Sequence, residues 1–163
     1  MVRLSVERFS KFIVQKVHKL SPSVSLVTIK PEDDSKIEPL PVCYSLSLAN
    51  TDCSEQRPYT PINLIEDYDA PLTNFDILVR QYPNGIISGF LCSRNPGDIV
   101  NVRGPFIKVD IDDVVCKYDR LGMIAGGTGI TPMLQIVRFV LQKCQKTAMT
   151  LLFGNVSETE VLL

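Results

Sequence analysis

The apolar residues of this 163-residue chain change their spacing once, near residue 117, and that change limits the folds open to it. Before it they come in short alternating runs: Val24-Leu26 in SVSLVTIK, Val42-Tyr44-Leu46-Leu48 in VCYSLSL, Phe75-Ile77-Val79 in FDILVR, and Ile99 to Val102 in DIVNV. A two-residue period puts successive side chains on opposite faces, which is the pattern of half-buried strands. Turn signals separate the runs: Pro31-Glu32-Asp33-Asp34, Asn50-Thr51-Asp52, Pro83-Asn84-Gly85 and Asn95-Pro96-Gly97-Asp98. Their spacing predicts an antiparallel barrel or sandwich over the first three-quarters of the chain. The acidic stretch Glu66 to Asp69 reads as a solvated loop.

After residue 117 the order becomes strand, Gly-rich turn, helix, strand. Leu121 to Ala125 (LGMIA) is apolar without alternation, as in a strand buried on both faces of a parallel sheet. Gly126-Gly127-Thr128-Gly129-Ile130-Thr131-Pro132 follows. Thr131 is expected to cap a helix with Pro132 in its first turn, running to about Lys143 with Leu134, Val137 and Leu141 on one face. Met149 to Phe153 (MTLLF) is the expected return strand of a right-handed βαβ unit. Ser157 to Glu160 has the form of a capping box at the start of another helix. Two parallel strands cannot cover both their faces, so the expectation is a barrel domain over 1–117 and, over 118–163, the first βαβ unit of a domain that continues beyond the chain.

Charge and cysteine content exclude several functions. Seventeen basic against eighteen acidic side chains, with no dense basic run, give no electrostatic footprint for nucleic acid. Five cysteines (Cys43, Cys53, Cys92, Cys116 and Cys144) without a CxxC pair read as free thiols of a reducing compartment. No stretch reaches the eighteen or so apolar residues of a membrane span. The cytoplasm is therefore the expected location, with membrane association left to a longer form. His18, the one histidine, has no acid or nucleophile at a suggestive spacing and reads as a surface-loop residue.

Three segments concentrate polar chemistry. In Arg57-Pro58-Tyr59-Thr60-Pro61, strand alternation points Arg57, Tyr59 and Pro61 one way and Pro58 and Thr60 the other. The run presents a cation, an aromatic face and a hydroxyl; an edge strand guarded by prolines is the alternative. Leu78-Val79-Arg80 leads to Gly85-Ile86-Ile87-Ser88, where backbone N–H groups at a helix start can face an anion, or simply turn the chain. The glycines at 126, 127 and 129 let a backbone turn approach a pyrophosphate, and packing alone is again the alternative.

The order of these segments resembles the NADH-cytochrome b5 reductases of the ferredoxin-NADP reductase superfamily, from about residue 10 to residue 163. RPYTP matches their Arg-x-Tyr-Ser/Thr flavin motif, and GMIAGGTGITPMLQ their nicotinamide turn. The resemblance implies a mainly β protein: an antiparallel Greek-key FAD-binding barrel, then an incomplete α/β (Rossmann-like) nucleotide-binding domain. It implies FAD and NADH or NADPH as cofactors. Arg57 would meet the pyrophosphate, Tyr59 would pack against the isoalloxazine and ribityl portion, Thr60 would hydrogen-bond near flavin N5, and Pro58 would count among the cofactor-binding residues with them. Leu78 would contact the flavin through its backbone, with Arg80 where the family often has Lys. Gly85, Ile86, Ile87 and Ser88 would cradle the pyrophosphate, the Ser88 hydroxyl adding a donor; Ile86-Ile87 replaces the family's Lys-Met pair and removes a cation. Gly126, Gly127, Thr128 and Gly129 would face NAD(P)H, and Thr131 would touch the flavin at the domain seam. Arg103-Gly104-Pro105 matches at a turn with a structural role, and Leu40-Pro41-Val42-Cys43 departs from the family's Leu-Pro-x-Gly.

The activity implied is hydride transfer from NAD(P)H to FAD and then single-electron transfer to a protein acceptor such as a cytochrome b5-like haem domain. No acid–base residue is needed in the first half. The family's Cys-Gly-Pro-Pro segment does not occur in this sequence, and the residues that distinguish NADH from NADPH are expected at or beyond its C-terminus. A flavin-binding or interaction module without turnover is the alternative.

Overall fold

The computed structural model describes residues 1–107, 109, 111, 115–144, 146–158 and 161–162. Six strands form one antiparallel sheet: β1 (Ser10–Lys19), β2 (Val24–Pro31), β3 (Tyr44–Ala49), β4 (Gln56–Tyr59), β5 (Phe75–Arg80) and β6 (Ile99–Ile107), in the order β4-β3-β6-β1-β2-β5. β5 passes over the β3–β4 hairpin to pair with β2, and β6 returns to lie between β3 and β1, a Greek-key path. The two edges meet just past β4. Pro61 bridges to Ile77 of β5, and the Ile62 N–H donates to the Asp76 carbonyl at 2.8 Å. That contact joins the two edges at one point and curls the sheet into a barrel shape.

Alternate residues of each strand fill the interior. Phe12 and Val14 (β1), Val27 and Ile29 (β2), Leu46 and Leu48 (β3), Phe75, Ile77 and Val79 (β5), and Val100 and Val102 (β6) form one cluster, with the Phe12 and Phe75 rings stacked at 5.7 Å. Helix α1 (Ile86–Cys92) adds Ile87 and Leu91 to this cluster.

β1 is not legible from period-two alternation. Its pairing with β2 shifts register between Val14 and Lys16, so the inward residues fall at 12, 14 and 17. A bulge of this kind breaks the two-residue count. His18 consequently lies on strand β1, opposite Leu26 and exposed, instead of in a loop. Arg103-Gly104-Pro105 is likewise no turn, since all three lie within β6, where the pairing with β3 shifts register opposite Ser45–Ser47. Gly104 has φ +143°, and a Cβ there would stand 2.9 Å from Leu46 Cδ2 and 3.2 Å from the Ser45 carbonyl oxygen. Only glycine satisfies both conditions. Arg103 is half-buried beside the rings of Phe9 and Phe106 and donates to Gln56 Oε1 and the Val6 carbonyl, a structural role.

The second unit is β7 (Arg120–Gly126), a 3-10 turn (Gly127–Gly129), helix α2 (Ile130–Lys143) and β8 (Ala148–Gly154), with β7 and β8 parallel in register from Arg120↔Ala148 to Gly126↔Gly154. Three expectations change here. α2 starts two residues earlier than the Thr131 cap implies: Gly129 is its N-cap, and Thr131 Oγ1 donates back to the Thr128 carbonyl at 3.0 Å. Its buried apolar residues are Ile130, Ile136, Phe139 and Val140, whereas Leu141 is 67% exposed. β7 is buried on one face only, through Met123 and Ala125, while Ile124 and Leu152 of β8 are exposed, since α2 covers a single side. The capping-box residue Glu160 lies outside the described residues.

The expectation of five free thiols is also corrected. Cys116 and Cys144 form a disulfide, with Cα atoms 5.1 Å apart; Cys43, Cys53 and Cys92 are free. The 28-residue separation hides the pair in the sequence. It is closed by tertiary packing of the 3-10 turn Val115–Lys117 against the end of α2.

Three substitutions probe the packing of the core and its surface. Phe12→Ala should cost about 3–5 kcal/mol and Gly104→Ala about 1–3 kcal/mol, whereas Leu141→Ala should stay within about 0.5 kcal/mol. Urea denaturation followed by circular dichroism measures all three.

Candidate functional site

A cleft of about 740 Å³ opens where barrel and βαβ unit meet. Cofactor sites occupy this size range and favour such junctions. Four of the segments that wall it carry residues anticipated from the sequence.

β4 and the residue after it contribute Arg57, Pro58, Tyr59 and Thr60. The register Leu46↔Tyr59 and Leu48↔Arg57 places Arg57 and Tyr59 on one side of the strand, as alternation requires. Tyr59 rests partly on the barrel core, and burial pushes its phenol up to about 12, so it stays a neutral hydrogen-bonding group. The Arg57 side chain is 62% exposed, donates to the Gln56 carbonyl at 2.6 Å and lies 3.4 Å from the Glu55 carboxylate. An exposed pair of this kind is weak and easily exchanged for a stronger anion.

β5 supplies Leu78 and Arg80. Leu78 is buried in a cluster with Val24, Ile62, Ala125 and Ile130, which joins barrel to βαβ unit. The Arg80 guanidinium lies against Gly127, its Nη1 3.9 Å from where a Cβ would sit.

The turn into α1 forms the third wall, with Tyr82, Asn84, Gly85, Ile86, Ile87 and Ser88. Gly85 is the N-cap of α1 and no side chain caps the helix. The Ser88 hydroxyl accepts the Tyr82 N–H and donates to the Gly85 carbonyl, both at 3.2 Å, so it staples the turn. A Cβ on Gly85 would stand 2.2 Å from that hydroxyl and 3.1 Å from Tyr82 Cβ. The turn is thus closed around a glycine and leaves backbone N–H groups at its lip. Ile87 sends its side chain into the barrel core, while Ile86 is exposed.

The fourth wall is the start of α2: Thr128, Gly129, Thr131, Pro132 and Met133. Gly126 and Gly127 do not line the cleft. Gly126 ends β7, and Gly127, at φ +49°, turns the chain behind Arg80.

Sequence reasoning missed the part of the wall made by Cys43, Tyr44 and Ser45, as well as Tyr82, Asn84 and Val109. One signal was available. Cys43 stands where the resemblance has glycine, and it holds φ +60°, a left-handed conformation that favours glycine. Its thiol is pushed up by desolvation, which favours the protonated form.

These residues fit a flavin dinucleotide. The cleft offers a guanidinium at its rim, a half-buried phenol, the Thr60 hydroxyl and a glycine turn that a side chain would fill.

Comparison with known proteins agrees with this reading. Residues 11–111 match the oxidoreductase FAD-binding domain family, and residues 123–163 match the oxidoreductase NAD-binding domain family. The chain is 35% identical to NADH-cytochrome b5 reductase 1 of Aspergillus terreus (strain NIH 2624 / FGSC A1156) over 98% of its own length and 55% of the relative's. It is 32% identical to NADH-cytochrome b5 reductase 1 of Dictyostelium discoideum, again over 98% and 55%. It therefore spans about half the length of these curated relatives. Among solved structures, the cytochrome b5 reductase domain of Ulva prolifera nitrate reductase superimposes with a TM-score of 0.81 at 27% identity, covering 98% of this chain and 67% of that one. The CS-b5R domains of human Ncb5or superimpose at 0.80 and 21% identity over 95% and 46%, a likeness that bears on the fold alone. With a FAD-binding family match across most of its length and these relatives, the chain belongs to the NADH-cytochrome b5 reductase family of flavin-dependent oxidoreductases.

Proposed function

We propose that this chain holds FAD in the cleft between barrel and βαβ unit, and that the protein passes electrons from NADH through that flavin to a one-electron acceptor such as a cytochrome b5-like haem protein. The observation that carries this reading is the convergence on one cleft of RPYTP, the Gly85–Ser88 turn and the start of α2, segments more than twenty residues apart in the chain. We take residues 1–117 as the flavin-binding domain and 118–163 as the opening βαβ unit of the nicotinamide domain.

When bound, FAD supplies hydride acceptance at N5 and release of single electrons. The chain's residues bind, orient and shield. Arg57 exchanges Glu55 for the pyrophosphate, and its planar fork suits phosphate oxygens. The α1 N-terminal amides add donors at the Gly85 turn, which the Ser88 hydroxyl holds in shape instead of reaching the phosphate itself. Tyr59 packs beside the isoalloxazine, with Pro58 extending that wall, and Thr60 offers the hydroxyl that tunes N5. Leu78 approaches the flavin through its backbone, and Arg80 adds positive charge. Thr128, Gly129 and Thr131 close the nicotinamide side, while Gly126 and Gly127 shape the turn from behind. A cytosolic site of action is supported by three free thiols, with the Cys116–Cys144 disulfide weighing against it.

The purified chain should be yellow with one FAD, and NADH should bleach it. Yellow protein that NADH leaves unbleached indicates a flavin-holding module without turnover. A colourless chain that releases no flavin on denaturation removes the assignment. Within the site, Arg57→Gln should weaken FAD binding by about 1.5–3 kcal/mol, the worth of a charged hydrogen bond. Gly85→Ala should weaken it about tenfold, since Ser88 must abandon its staple. Flavin fluorescence titration reads both, and a Gly85→Ala variant with wild-type affinity contradicts the turn's role.

A further inference from the structure

Helix α2 meets the barrel through polar side chains that donate to main-chain carbonyls of one segment, the stretch that follows RPYTP. Gln135 Nε2 donates to the Pro61 carbonyl at 2.9 Å, Arg138 Nη1 to the carbonyls of Ile62 and of Asn63 (2.8 Å), and Gln142 Nε2 to those of Ile65 (2.8 Å) and Glu66 (3.1 Å). Spacings of three and four residues set these three side chains on one stripe, with Thr131 one turn before Gln135 at the cleft.

Gln135 stands apart from the other two. It is buried, and its Oε1 also accepts the Tyr44 N–H at 3.1 Å. The β3–β4 register explains why that bond exists. Leu46 faces Tyr59, so continuing the register by two residues would set Tyr44 opposite Pro61. An unbroken antiparallel ladder would continue between those two. Pro61 instead leaves β4 to bridge Ile77 of β5 and close the barrel. The Gln135 amide occupies the gap, accepting from one strand and donating to the other as a peptide group inserted in the ladder would. It thereby satisfies two buried backbone groups that the divergence would otherwise orphan.

The gap lies beside Thr60 and Ser45, both in the cleft wall. We infer that Gln135 is a positioning residue of the flavin site: it holds β3 and β4 apart where they diverge, fixing Thr60 from helix α2 without touching the cofactor. The inference rests on the flavin reading above. It makes α2 part of the flavin site's architecture, so the βαβ unit is required for full FAD affinity.

Gln135→Met keeps the side chain's length and removes both bonds. FAD affinity should fall about tenfold or more, as expected for two buried backbone groups losing their partners beside the site. Val14→Ala, a cavity in the barrel core away from the cleft, controls for stability alone: it should lower the melting temperature and leave affinity within about twofold. Gln135→Met affinity within twofold of wild type, or an equal loss in Val14→Ala, overturns the inference. If the wild-type chain takes up no FAD, the proposed function falls, and hydrogen exchange in the apo chain decides the positioning role. Exchange should then quicken through β4 in Gln135→Met, and acceleration confined to the Tyr44 amide overturns it.

Discussion

The structure depends on one divergence, at Pro61. Up to Tyr59 the chain is the outer strand of the β3–β4 hairpin; at Pro61 it crosses to β5 and closes the barrel. A proline suits the crossing, since it has no N–H to leave unpaired when it quits a ladder. Closure brings the end of RPYTP next to Leu78 and Arg80, although these residues are remote in sequence. The cleft exists because β3 and β4 part there, and α2 fills the remaining hydrogen-bonding gap. Barrel closure, cleft formation and attachment of the second unit are thus one event in the fold.

This arrangement explains the division of labour among charges. Arg57 is exposed and weakly paired at the rim, where it can reorient toward an arriving anion at little cost. Arg138 donates to two carbonyls and belongs to the seam. Arg103 is held between two aromatic rings and belongs to the barrel wall. The three arginines sit in different settings, and Arg57 is the one of them at the cleft rim.

Much of this was legible in the sequence. Local periodicity located β2, β3, β5, β6 and the whole βαβ unit, and the three motif segments fall on one cleft. What escaped depended on non-local geometry. A bulge after Val14 disguised β1, and Gly104-Pro105 has the composition of a turn although it lies within β6, where the register with β3 shifts opposite Ser45–Ser47. The glycine turn before α2 moved the helix start ahead of Thr131. The Cys116–Cys144 pair is a product of packing that no spacing rule encodes, and the Cys43–Ser45 wall was signalled only by Cys43 standing at a glycine position.

Gln135 shows the same limit from the opposite side. In the sequence it is a polar interruption of the apolar run MLQIVRFVL, and nothing in its spacing marks it out. In the fold it is buried and bonded to both diverging strands. Burying an amide is costly unless each of its groups finds a partner, and an apolar side chain of equal size would fill the same space without that requirement. The cost is offset only because Tyr44 and Pro61 present one donor and one acceptor at the separation an amide spans. A buried glutamine at this place therefore reports the strand divergence that makes the cleft. The chemistry of the seam and the shape of the flavin site follow from the same missing ladder bond.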